Sequence, residues 1–133
     1  LIFEQIVEIP KFDTGQYEEC DFAMTGADVR LTIRFSELPP FEIKFSHVRW
    51  HQFTALPNCD ADVVESSYFR LVELVESPTL SSFVDSDRAP RRAYKELHHD
   101  RIFLDETGCH ELFAESASTG TLTQALSLDD TVR

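Results

Sequence analysis

Residues 29–46 read VRLTIRFSELPPFEIKFS. In the first half Val29, Leu31, Ile33 and Phe35 alternate with Arg30, Thr32 and Arg34. In the second, Phe41, Ile43 and Phe45 alternate with Glu42, Lys44 and Ser46. A period of two puts the apolar side chains on one face of a pleated ribbon. ELPP between the halves is a short loop, so the pair reads as an antiparallel hairpin with one buried and one wet face. Across the wet face Arg30 or Arg34 can meet Glu42, a pair worth ~0.2–1 kcal/mol.

Working outward, LIFEQIVEI sets Glu4 and Glu8 against Phe3, Val7 and Ile9, and CDFAMT sets Cys20, Phe22 and Met24 against Asp21, Ala23 and Thr25. Both read as strands. At SHVRWHQF the parity slips, because Val48 and Trp50 take the side that Glu42 and Lys44 held. A bulge or bend near His47 is expected. ALPNCDAD is a loop.

DVVESSYFRLVELVES carries two signals. Val64, Tyr68, Leu71, Val72 and Val75 fall at helical spacing, and Asp62 with Glu65 fits a capping box. YFRLVELV is rich in residues that favour strands. We expect a short helical turn near 61–66 and a strand over 68–75. SPTLSSFV reads as a brief helix with Ser77 as N-cap, Pro78 in the first turn, and Leu80, Phe83 and Val84 inward.

YKELHHDRIFL and CHELFAES follow as strands around DETG, a three-residue hairpin loop with Gly108 in the left-handed conformation. Pairing Asp105 with Cys109 sets Leu104 opposite His110, Ile102 opposite Leu112 and Asp100 opposite Ala114. Arg101 then lies diagonal to Glu111 and Glu115. Neighbours on a strand point to opposite faces. Cys109 and His110 therefore form no dyad with each other, nor do His98 and His99. The stretch 118–133 is low in aromatics and reads as a frayed tail or a short helix with Leu122 and Leu126 on one side. The expected architecture is mainly β: an antiparallel β-sandwich or curled sheet with one or two short helices. Residues 1–117 form one β-rich domain and 118–133 its tail.

The chain has 133 residues, 42% of them hydrophobic, including 11 Phe, which suffices for one core. No apolar run approaches the ~20 residues of a membrane helix, so no membrane partner is expected. No basic stretch followed by an apolar segment marks a signal peptide. The chain opens on Leu1 and its only methionine is Met24, so we expect a processed, trimmed or partial chain. Three cysteines, Cys20, Cys59 and Cys109, make no disulfide framework and suggest a reducing, cytoplasmic setting.

The net charge of −12 argues against nucleic acid, whose affinity rests on cationic contacts to phosphate. It serves solubility, and it also suits a basic protein partner. Glu18, Glu19 and Asp21, and Asp60, Asp62 and Glu65, are the acidic clusters singled out for such a contact. Trp50 reads first as a core residue and second as a binding hot spot. RAPRRAYK holds Arg88, Arg91, Arg92 and Lys95 with no acid, a solvated loop or a local anion or partner site.

Chemistry-bearing motifs are sparse. His47, His51, His98, His99 and His110 show no HxxxH or HExxH spacing and there is no CxxC, so no metal or other cofactor is expected. No G-x-S-x-G elbow or Gly-rich phosphate loop appears, so no catalytic residue is expected. Asp60 and Asp62 would raise the pKa of Cys59.

FEIKFSHVRW, YFRLVELVESPTLSSF, a basic loop and RIFLDETGCHELFAES, in that order, resemble a loosely defined group of small bacterial β-rich proteins. The resemblance spans about residues 29–117. Some members look like immunity proteins encoded beside polymorphic toxins. The resemblance implies a non-enzymatic protein-binding domain, an immunity-type inhibitor with an acidic surface for a basic toxin. It supplies no functional residues. The alternatives are a structural domain that self-associates as a homodimer through strand edges, or a metal protein using His98, His99 or His110.

Overall fold

Val29, Leu31, Ile33 and Phe35 are buried, and so are Phe41, Ile43 and Phe45, as their alternation requires. They lie on the hairpin of β3 (Asp28–Phe35) and β4 (Phe41–Ser46), paired antiparallel with Leu31 opposite Ile43. The opposite face is not wet throughout, as its alternation suggested: Thr32 and Glu42 are buried there, Arg30 meets Glu42 at 3.0 Å, and Arg34 turns to Asp21 at 2.7 Å. The computed structural model describes residues 2–9, 11–86, 96–121 and 130–131.

The other strands are β1 (Ile2–Glu8), β2 (Tyr17–Thr25), β5 (Trp50–Ala55), β6 (Arg70–Val75), β7 (His98–Leu104), β8 (Gly108–Ala114), β9 (Ser116–Thr121) and β10 (Asp130–Thr131). Two helices, α1 (Ala61–Ser67) and α2 (Pro78–Asp85), lie between them. One sheet runs β1-β6-β7-β8-β5 and the other β10-β9-β4-β3-β2, with all ladders antiparallel. Between the sheets Leu31, Ile33, Ile43 and Phe45 pack with Leu71, Ile102, Leu104 and Leu112. Each such side chain contributes ~1.5–3 kcal/mol on burial. The described residues therefore form an antiparallel β-sandwich with two short α-helices.

The parity slip near His47 is a bend between the sheets. His47 adopts φ 54, and the chain passes from β4 in the second sheet to β5 in the first. The return passes Glu115, whose N–H donates to the Ser46 carbonyl. Glu115 also lies 3.8 Å from Arg49, so the two crossings are tied side by side.

Several expectations are corrected. The helix α1 starts two residues earlier than a capping box at Asp62 needs: Asp60 is the N-cap residue, with no side-chain cap bond. Ser77 does cap α2, accepting from Leu80 N–H, but Val84 faces solvent at 44% exposure. The last hairpin has its three-residue loop one residue earlier, at Asp105–Thr107, with Leu104 opposite Gly108 and Ile102 opposite His110. Each partner moves by two, so every side chain keeps its face. Glu106 takes the left-handed conformation at φ 59. Gly108 sits in the strand because a Cβ there would meet the Thr54 carbonyl at 2.3 Å and the Phe53 ring at 3.0 Å.

The tail expectation also changes. Residues 118–121 belong to β9, which pairs along the whole of β4, and Asp130–Thr131 pairs with β9. Leu122 and Leu126 lie outside the described residues, as do Arg88, Arg91, Arg92 and Lys95.

Candidate functional site

Strand alternation gives the first sheet two unlike faces. Ile102, Leu104, Leu112 and Ala114 point into the core. Their neighbours His99, Arg101, Cys109, Glu111 and Phe113 point the other way, beside Trp50, Gln52 and Thr54 of β5. α1 packs over β6 and β7 on this outer side, and α2 reaches it through Phe83, whose ring lies 5.1 Å from Phe113. The helices leave a trough of three adjoining hollows. The largest, about 910 Å³, is lined by Asp60, Asp62, Glu65 and Arg70. The next, about 430 Å³, includes Trp50, Leu74, Ser77, His99 and Glu111. A third of about 250 Å³ lies at Thr54, Cys59 and Cys109. Arg101 lines all three.

The floor is a chain of buried polar groups. His99 Nδ1 is 2.6 Å from Ser77 Oγ, and His99 Nε2 is 2.9 Å from Glu111 Oε1. Arg101 donates through Nη2 to the same carboxylate oxygen at 3.1 Å. The carboxylate only accepts, so Nε2 carries a hydrogen. In the neutral imidazole Nδ1 then accepts from Ser77, whose oxygen also accepts from Leu80 N–H at 3.1 Å. Burial alone would raise the Glu111 carboxyl, but the His99 hydrogen bond and the Arg101 guanidinium together hold it below its ordinary range.

The two acidic clusters are not brought together. Glu18, Glu19 and Asp21 lie on β2, the edge strand of the second sheet, while Asp60, Asp62 and Glu65 lie at α1 on the outside of the first. Their charges are also spent differently. Arg34 sits 2.7 Å from Asp21 and 4.0 Å from Glu19. Asp60, Asp62 and Glu65 are exposed, and among the described residues none of them makes an ion pair within 4 Å. Trp50 is half-buried on the trough wall, stacked on Phe113 at 4.3 Å.

Cys109 and His110 part to opposite faces. Burial pushes the Cys109 thiol up to about 12. His110 points between the sheets, stacked on Phe22, with its Nε2 3.9 Å from Cys20 Sγ. Burial, helped by nearby His51, lowers His110 to about 4, and burial raises Cys20. At neutral pH this contact is a thiol beside a neutral ring, without thiolate character. For Cys59 burial is the first cause of a raised pKa, with Asp60 adding to it. Among the described residues no three His, Cys, Asp or Glu side chains converge as a metal site.

Sequence reasoning missed the Ser77–His99–Glu111–Arg101 chain. Ser77 was legible only as a helix cap and His99 only as one histidine of five. Their meeting depends on β6, β7 and β8 lying side by side. No family model, curated protein or solved structure matches the chain. No helix among the described residues is long and apolar enough to cross a membrane.

Proposed function

We propose that the chain is a protein-binding domain of the immunity type, which receives a basic partner on the trough outside the first sheet. The observation that carries this reading is the exposed acid triplet Asp60, Asp62 and Glu65 on the rim of the 910 Å³ hollow. Held on one short helix and its cap, these carboxylates present negative charge at a concave surface within a chain of net charge −12. Such a surface steers a cationic partner and favours its encounter. Trp50, half-buried further along the trough, supplies an aromatic anchor of the sort that dominates interface energetics. The cluster on β2 fits less well, because Arg34 already neutralises part of it.

The test is capture from the source cell's lysate at low and high salt, using the wild-type chain and the Asp60→Lys/Asp62→Lys/Glu65→Lys variant. A basic protein retained by wild type, released by salt and lost from the variant supports the reading. Equal capture by both chains, or capture indifferent to salt, overturns it.

A further inference from the structure

We propose that Ser77, His99 and Glu111 form a nucleophilic site that takes small acyl esters in the 430 Å³ hollow. The partner-binding reading rests on the acidic rim with Trp50 as anchor, and the reacting groups of this site are other residues, although Trp50 also lines this hollow. Three observations carry it. The hydroxyl, ring and carboxylate stand in series at 2.6 and 2.9 Å, nucleophile to base to orienting acid. Roles and distances, not sequence spacing, are what define such a set. Ser77 also sits at a strand-to-helix turn, directly after Glu76 at φ 57 and before the eight residues of α2. Finally, Ser77, His99 and Glu111 all line one hollow, beside Trp50, Leu74 and Pro78.

The imidazole is attached in the reverse sense from the commonest arrangement, Nδ1 to the hydroxyl and Nε2 to the carboxylate. The chemistry is unaffected, because one nitrogen accepts while the other is held protonated. Ser77 Oγ attacks the ester carbonyl carbon and its proton passes to His99 Nδ1. The carbon–oxygen bond to the alcohol breaks, and the departing oxygen takes that proton. Water then attacks the acyl-Ser77 ester with His99 accepting its proton, and Ser77 leaves with the proton returned. The sum is ester plus water giving acid plus alcohol. Glu111 touches no substrate and is a positioning residue.

Access sets the substrate class. Ser77 is only 3% exposed, so a bulky acyl group is excluded. Trp50, Leu74 and Pro78 offer apolar walls, which suit a short, uncharged acyl chain on a slender ester.

The probe is p-nitrophenyl acetate with the intact wild-type chain at neutral pH. Nitrophenol release and peptide mapping of the acetylated protein are both followed. The expected result is acetyl on Ser77 in quenched samples, and release about 100-fold faster than from Ser77→Ala or His99→Gln. Glu111→Gln should lower the rate and displace its pH profile, which a purely structural role would not do. Circular dichroism checks that each variant is folded. Methanesulfonyl fluoride, small enough for this hollow, removes dependence on any variant, since on the wild type it should abolish release by modifying Ser77. Acetyl found only on lysines in the folded wild type, with release matching Ser77→Ala and indifferent to the sulfonyl fluoride, overturns the proposal.

Discussion

Arg101 and Glu111 face each other directly across β7 and β8, with Nη2 3.1 Å from Oε1, at the point where the hollows of the trough meet. Both side chains are about nine-tenths buried, at 10% and 13% exposure. One carboxylate oxygen thus serves Arg101 and His99 together.

Removing that oxygen takes an acceptor from both neighbours. Glu111→Leu should destabilise the fold by about 3 kcal/mol, as breaking a buried ion pair does. Glu111→Gln keeps one acceptor and should lose less. Urea unfolding of the two variants beside the wild type measures the difference.

Gly108 packs closely against β5, where a would-be Cβ would lie 2.3 Å from the Thr54 carbonyl. Its φ of 145 is also unfavourable for an L side chain. Gly108→Ala should cost about 2–3 kcal/mol, near the upper end of ordinary point substitutions. Gly26 has nothing within 4 Å of its would-be Cβ, so Gly26→Asn should cost far less. Thermal melts of both variants provide the comparison.

Acid should weaken the fold in a defined window. His110 is lowered from 6.5 to about 4 in the native state, so the unfolded chain binds the proton more readily. Its contribution is complete above about pH 6.5 and is lost as pH falls through about 4, on the order of 3 kcal/mol in all. The depressed Glu111 carboxyl adds loss in the same direction below its ordinary value of 4.5. Melting temperature followed from pH 7 to 4 should fall steadily, and His110→Phe should flatten the part above pH 4.5.

All three thiols should react sluggishly with iodoacetamide in the folded protein at neutral pH. Burial raises each of them, most of all Cys109 at about 12. Cys59, held in a loop by contacts to the Thr54 and Ala55 carbonyls, should react first and Cys109 last. Time-resolved peptide mass spectrometry gives the order, and denaturant should make the three rates converge.

The hairpin of β3 and β4 was legible because period-two alternation and a proline loop coincide there. α1 and α2 were legible from their caps and spacing, although the cap of α1 lies at Asp60 and not Asp62. β9 was not. SASTGT has no apolar alternation, and it becomes a strand because β4 offers it a backbone ladder along its full length. The last hairpin shows the limit of turn chemistry. Gly108 signalled a turn, yet the close approach of β5 claims that glycine for the strand and leaves Glu106 to make the turn. The floor of the trough was illegible for a similar reason. Ser77, His99 and Glu111 are joined only by the lateral order of β6, β7 and β8, which no local pattern encodes.

Hydrogen exchange of the captured complex reads whether the partner lies in the trough outside the first sheet. Amide exchange would be followed by mass spectrometry for the free chain and for the chain with its bound partner. Slowed exchange over residues 50–54 and 60–66, with the peptides of β2 unchanged, is the predicted result. Slowed exchange confined to residues 17–25, with 60–66 unaffected, would contradict it and move the partner to the edge of the second sheet.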